Sequence, residues 1–202
     1  MNLVTGATGH IGNVLVRELL QNGEQVRALV LPGEDTRSLD GLDVEKVEGN
    51  VLDKPSVERA VDGADTIYHL AGVISIMPGR NEWMRQVNVG GTKNVLAAAR
   101  KAGARRLVYT SSIHALKRIP EGQIVDESLP FDPDNPSGAY DATKAAASLA
   151  VMEAARDGLD AVVVCPTGVV GPHDYLRSEI GDLILSWMNK GATLFQIGRP
   201  DE

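Results

Sequence analysis

Tyr140-Asp141-Ala142-Thr143-Lys144 is the stretch of this chain best suited to chemistry. It opens a run of strong helix formers (Ala145, Ala146, Ala147, Leu149, Ala150), and residues four apart share a helix face. A phenol and an ammonium can therefore project into one cleft. A free phenol, with a pKa of about 10, carries protons poorly at neutral pH. A neighbouring cation favours the phenolate and lowers that value, as a general acid/base requires. The spacing alone is common, and a solvated helix face would explain it. Ser111 and Ser112 add weight, because they follow the apolar run Leu107-Val108-Tyr109, which reads as a strand. A hydroxyl at a strand's carboxyl end can hold a substrate carbonyl beside the tyrosine oxygen. A turn or capping serine is the plainer reading of either residue alone.

The start of the chain offers a place for a partner molecule. Asn2-Leu3-Val4 reads as a strand, Thr5-Gly6-Ala7-Thr8-Gly9-His10-Ile11-Gly12 as a turn, and Ile11, Val14, Leu15 and Leu19 as one helix face. Such a strand-turn-helix sets backbone N–H groups and a helix N-terminus beneath a diphosphate. Gly6 permits the tight turn, Gly9 lets backbone approach the phosphates, and Gly12 lets helix and strand pack closely. His10, within the turn, is expected to contribute its backbone there.

These groups need a scaffold, and the sequence alternates strands with helices. Strands are predicted at Asn2–Val4, Gln25–Leu31, Val44–Glu48, Thr66–Leu70, Leu107–Ser111, Ala161–Cys165 and Leu194–Ile197. Helices are predicted at His10–Asn22, Ser56–Val61, Glu82–Ala102, Ala139–Arg156 and Glu179–Lys190. The pattern predicts an α/β fold with a doubly wound parallel sheet of Rossmann type, its site at the strands' carboxyl ends. Arg118–Ser137, rich in proline and acids, is the one long irregular stretch, and a loop of that length is usually functional.

Composition narrows the partners. The 202 residues are 43% hydrophobic and carry a net charge of -7, with no basic stripe to displace counterions from nucleic acid. A single cysteine, Cys165, excludes an internal disulfide and suits a reducing compartment. No apolar run approaches a membrane span, and no signal peptide precedes the first strand, so a cytoplasmic protein with a small-molecule substrate is expected. His10, His69, His114 and His173 lack metal-ligand spacing, so no metal is expected. His69 reads as structural, His114 as a candidate substrate contact and Cys165 as a buried thiol.

Five motifs in order carry a resemblance: Thr5–Gly12, His69-Leu70-Ala71-Gly72, Asn88-Val89-Gly90-Gly91-Thr92, Tyr109-Thr110-Ser111-Ser112 and Tyr140–Lys144. From residue 2 to about 172 the chain resembles the extended short-chain dehydrogenase/reductase family, which includes nucleotide-sugar epimerases and dehydratases and dihydroflavonol reductase-like enzymes. The resemblance implies that Tyr140 is the acid/base, that Lys144 binds the nicotinamide ribose and tunes Tyr140, and that Ser112 orients the reacting oxygen. It places Asn88 near the site, Leu70, Ala71 and Gly72 along the cofactor groove, and Pro166 and Val169 over the nicotinamide. Gly6, Thr8, Gly9, His10, Ile11, Gly12, Leu31, Asn50, Val51 and Thr110 complete the implied cofactor contacts. The helices from Glu82 and from Ala139 are those that pair two subunits in the family, implying a homodimer.

Three departures qualify this. Gly49-Asn50-Val51 stands where the family has an aspartate for the adenine, though the Asn50 amide oxygen can still accept that bond. Leu31-Pro32-Gly33, followed by Glu34, Asp35 and Arg37, matches neither the acidic nor the basic signature for the ribose, so NAD and NADP both stay open. The family's carboxyl-terminal substrate domain has no counterpart of full size. Residues 1–172 are expected to form the dinucleotide-binding domain, and 173–202 the last sheet strand and the start of a truncated substrate region. The expected activity is hydride transfer between nicotinamide and a carbonyl or alcohol, of the dihydroflavonol reductase-like kind. A nucleotide-sugar epimerase or dehydratase and a non-catalytic dinucleotide sensor are the alternatives.

Overall fold

Leu3 and Val4 project to opposite faces of one strand, and both are fully buried, so that strand is covered on both sides. The computed structural model describes residues 1–74 and 81–190. Its strands are β1 (Asn2–Thr5), β2 (Val26–Val30), β3 (Val44–Glu48), β4 (Thr66–His69), β5 (Arg106–Thr110) and β6 (Ala161–Val164). All neighbours run parallel, in the order β3-β2-β1-β4-β5-β6. The predicted strand at Leu194–Ile197 lies outside the described residues.

The helices are α1 (His10–Gln21), α2 (Lys54–Val61), α3 (Asn81–Arg85), α4 (Thr92–Ala102), α5 (Ala139–Arg156) and α6 (Glu179–Lys190). Val16 of α1 packs with Val4, Ala28 and Val30 on one face of the sheet. On the other face, Val57 of α2, Val95 and Ala99 of α4, and Ala147 and Val151 of α5 pack on Leu3, Ile67 and Leu107. The sheet is thus doubly wound, and its order reverses between β1 and β4. In doubly wound sheets ligands bind at such a reversal, at the carboxyl ends of the strands.

One predicted element is interrupted. The helix expected over Glu82–Ala102 contains a π segment, Gln86–Gly91, between α3 and α4. Two tertiary pulls account for it. Val51 presses against Gly91, where a Cβ would come within 2.7 Å of the valine side chain. The Asn88 side chain turns inward, accepting from Val73 N–H (2.8 Å) and donating to the Val73 carbonyl (3.0 Å) and Thr143 Oγ1 (3.1 Å). A π turn adds a residue to the helix and so re-aims one side chain.

The long loop is pinned at its base. Leu116 bridges Phe131, Lys117 N–H donates to the Pro130 carbonyl and Asp132 N–H to the Ala115 carbonyl. These bonds seat the segment immediately after Ser112.

Candidate active site

The opening loop has the form its glycines predict. Gly6 has φ +72°, and a Cβ there would lie 2.7 Å from Ala71 N, so this residue brings β1's exit against β4's exit. A Cβ on Gly12 would press into the Gly6 carbonyl and lie 2.9 Å from Ala7 Cα. Gly9 is different: a Cβ would meet only the Gly6 carbonyl oxygen, at 3.4 Å. Gly9 caps α1 with no side-chain bond, leaving the first-turn N–H groups of His10, Ile11 and Gly12 for an anion. Thr8, nearly buried, donates its hydroxyl to Glu34 (2.5 Å).

From this loop the lining continues unbroken to α5. Ala71 N–H donates to Thr5 Oγ1 (3.1 Å), Leu70 N–H to the Thr5 carbonyl (3.1 Å), and the next residue is Gly72. A Cβ on Gly72 would stand 3.3 Å from Asn88 Oδ1 and 3.8 Å from Lys144 Nζ. The missing side chain leaves a cradle between the β4 exit and the lysine. Lys144 Nζ therefore lies beside the segment that the amino-terminal loop holds through Thr5.

Lys144 is buried, donating to the Thr110 carbonyl (2.6 Å) with its Nζ 4.7 Å from the Tyr109 ring centroid. Burial lowers its pKa to about 8, so the ammonium persists at neutral pH. Ser111 is a bolt between β5 and α5: its hydroxyl donates to Ser148 Oγ (2.6 Å), which donates to the Lys144 carbonyl (2.8 Å). Ser112 instead faces the Tyr140 phenol and pulls its pKa down. Burial outweighs that pull and leaves the phenol raised above its ordinary value, with the Asp141 carboxylate adding to the rise. Lys144 does not offset the rise in the free protein, contrary to the expected lowering, because burial is the larger effect and its ammonium is bonded to Thr110. Tyr140 is accordingly a held proton, poised to donate.

His69 sits behind this floor, wholly buried. The Thr92 hydroxyl donates to the Asn88 carbonyl (2.6 Å), so its oxygen accepts from His69 Nε2–H (3.0 Å). Nδ1 is then bare and accepts from the Thr5 hydroxyl (2.7 Å). Burial pushes the imidazole pKa down to about 3, with the Lys144 charge adding to it. The unfolded chain therefore binds one more proton than the folded one between about pH 6.5 and 3, and stability falls as pH drops through that window. This contribution has a slope of up to about 1.4 kcal/mol per pH unit. His69→Gln should lose that slope in unfolding free energies measured against pH; an unchanged slope would refute a neutral His69.

Other expected contacts have more local duties. The Asn50 amide oxygen accepts Leu52 N–H (2.9 Å), and only its second lone pair faces outward chemistry. Val51 is buried beneath Gly91 in the core, and Leu31 is 48% exposed at the end of β2. The Pro166 carbonyl accepts Ile113 N–H (3.1 Å), tying the segment of Pro166 and Val169 to the residue after Ser112. Cys165 is half-buried beside Ser111 and Lys144, with burial raising its thiol pKa. His114 is exposed, 3.9 Å from the Asp141 carboxylate.

His10 does more than lend its backbone. Its Nε2 donates to the Pro172 carbonyl (3.0 Å), Asn13 Nδ2 donates to the His173 carbonyl (2.9 Å), and Tyr175 stacks on His173 beside Arg17. The segment after β6 thus folds back over the start of α1. Asp174 accepts from Ser178 N–H (2.8–2.9 Å) and Oγ (2.6 Å) at the entrance to α6. Proximity across the sheet decides these roles, and sequence distance hides them.

Known proteins are similar to this chain in sequence and fold. The model of the NAD dependent epimerase/dehydratase family matches residues 2–195. Sterol demethylase protein B of Methylococcus capsulatus is 40% identical over 199 residues, covering 98% of this chain and 60% of that protein. A putative dihydroflavonol 4-reductase of Synechocystis is 37% identical over 187 residues, covering 93% of this chain and 54% of that protein. The chain therefore spans only part of the length of these relatives. Among solved structures, the UDP-glucose 4-epimerase of Thermus thermophilus in complex with NAD aligns with TM-score 0.78 and 29% identity, over 91% of this chain and 60% of that one. With the glycine loop, the β4 exit and the Ser112, Tyr140 and Lys144 cluster joined in one crevice, the chain belongs to the NAD-dependent epimerase/dehydratase family.

Proposed function

We propose that this chain is the cofactor-binding and proton-transfer part of an NAD(P)-dependent oxidoreductase acting on a carbonyl or alcohol. The observation that carries the reading is the continuous lining from Gly6 through Ala71 and Gly72 to Lys144. The residues present fit a dinucleotide: an uncapped helix N-terminus for the diphosphate, and the glycine cradle beside a buried ammonium for the nicotinamide end. A bound reduced nicotinamide supplies the hydride. The chain's residues do the rest. Ser112 holds the carbonyl oxygen, Tyr140 gives that oxygen its proton as the carbon gains hydride, and Lys144 stabilises the phenolate left behind. Solvent then returns the proton to Tyr140.

The dihydroflavonol reductase-like relative supports reduction of a small-molecule carbonyl. The likeness to an NAD-bound epimerase supports a second reading, in which the cofactor stays bound through turnover. Two copies pairing through α3 and α5 are also proposed, since Leu149 and Met152 are exposed on one face of α5 and α3 packs on that helix. Cytoplasmic residence fits the single thiol, and among the described residues no helix is long and apolar enough to cross a membrane. Titration with NADH, followed by nicotinamide fluorescence, tests the reading: saturable binding is expected. Absence of binding by both NADH and NADPH at millimolar concentration would overturn it, and NAD retained through purification would favour the epimerase.

A further inference from the structure

Lys144 is a buried cation that no carboxylate of the described residues pairs with. Its ammonium donates to the Thr110 carbonyl (2.6 Å), and an ion so far from water sheds its charge unless more than one dipole favours it. Tyr109 meets that need. Leu107 and Tyr109 alternate with Val108 along β5, and both turn to the face that α4 and α5 cover. The Tyr109 ring is thereby set under α5, with Lys144 Nζ over it, 4.7 Å from the centroid. A cation within about 6 Å of an aromatic face is drawn to the ring's quadrupole, most strongly where water is excluded.

The rest of the Tyr109 side chain is idle. Its hydroxyl is buried without a hydrogen-bond partner among the described residues. The Thr92 hydroxyl, which bears on it, gives its proton to the Asn88 carbonyl and accepts from His69 Nε2–H. A hydroxyl left unpaired in the core is costly, so the ring must account for what this side chain contributes. The surroundings offer the ammonium no other charge. His69, paired with Tyr109 across β4 and β5, and Cys165 after β6 both act on Lys144, and Tyr140 precedes it by one turn of α5. Burial keeps the imidazole uncharged and the thiol and both phenols protonated at neutral pH. The Asp141 carboxylate stands toward His114 (3.9 Å).

We propose that Tyr109 is a positioning residue, its ring face and the Thr110 carbonyl together seating the Lys144 ammonium for its work at the cofactor and beside Tyr140. That work rests on the dinucleotide reading above, whereas the seat itself is measurable in the free protein. Nuclear magnetic resonance of protein carbon-labelled at lysine Cε tests it, the Lys144 signal being identified by its loss in Lys144→Met. The ring current should move the Lys144 Hε signals upfield in wild type and Tyr109→Phe, but not in Tyr109→Leu. The ammonium should titrate near pH 8 in the first two proteins and about one pH unit lower, a tenfold change, in Tyr109→Leu. NADH affinity should weaken above the same midpoint in each protein. Tyr109→Phe should melt no lower than wild type, since it removes only the unpaired hydroxyl. Wild-type Lys144 Hε signals at the ordinary lysine position would overturn the proposal, whether or not any variant folds. So would one midpoint shared by all three proteins, or a Phe variant that behaves like Leu. Absence of NADH binding beside an upfield Lys144 signal would overturn the dinucleotide reading and leave the seat standing.

Discussion

Tyr140→Phe should lower turnover by roughly 10²–10⁴-fold and leave NADH affinity nearly unchanged. The substitution keeps the ring and removes only the hydroxyl that faces Ser112. Since the free protein holds this phenol protonated well past neutrality, the wild type enters the reducing direction with its proton in place. Its rate should then be level across neutral pH and fall as pH rises past about 8, where Lys144 loses its charge. The Phe variant should be slow at every pH. NADH oxidation against the ketone turned over fastest by wild type measures both effects, and a variant of wild-type activity would remove Tyr140 from the chemistry.

Two glycines of the opening loop should fail in different ways. Gly12→Ala forces a methyl into the Gly6 carbonyl and Ala7 Cα, all backbone, which cannot swing aside. Overpacking of this kind costs about 1–3 kcal/mol, a fall in melting temperature of roughly 2–12 °C for a chain of this size. Gly9→Val meets no such wall, because a Cβ there touches only one oxygen, at van der Waals distance. Its backbone, at φ -69° and ψ 168°, suits a β-branched residue. The Val variant should therefore melt close to wild type, yet lose dinucleotide affinity by roughly 100-fold as the loop's charge-assisted bonds to phosphate are obstructed. Thermal melts paired with NADH titrations separate the two. Loss of fold without any change specific to binding in Gly9→Val would contradict the phosphate assignment.

Strands and helices with strong local patterns were readable from the chain, and the six predicted strands that lie within the described residues fall within a residue of the observed ones. β1 and α1 announce themselves because a glycine-rich turn between an apolar run and an amphipathic one has few other uses. That Tyr140 and Lys144 share one helix was readable because helical spacing is a local property. The π segment was not, since it arises from Val51 and Val73 pulling on a helix remote in sequence. Nor was the tautomer of His69, fixed by hydroxyls 64 residues before it and 23 after it. Nor was the turn that returns Glu34, named just beyond the end of β2, to accept the Leu31 N–H. The bond from His10 to Pro172 spans 162 residues. Local periodicity sets the scaffold, while long-range polar contacts assign the duties.

Nuclear Overhauser contacts between bound NADH and protein labelled only at the tyrosine rings probe the joined crevice most directly. Cross-peaks from the nicotinamide ring protons to Tyr140, absent in Tyr140→Phe, are the expected result. Cross-peaks to Tyr140 from the adenine protons alone, or none from a saturated complex, would contradict the placement of Tyr140 and Lys144 beside the nicotinamide of a dinucleotide whose diphosphate the opening loop holds.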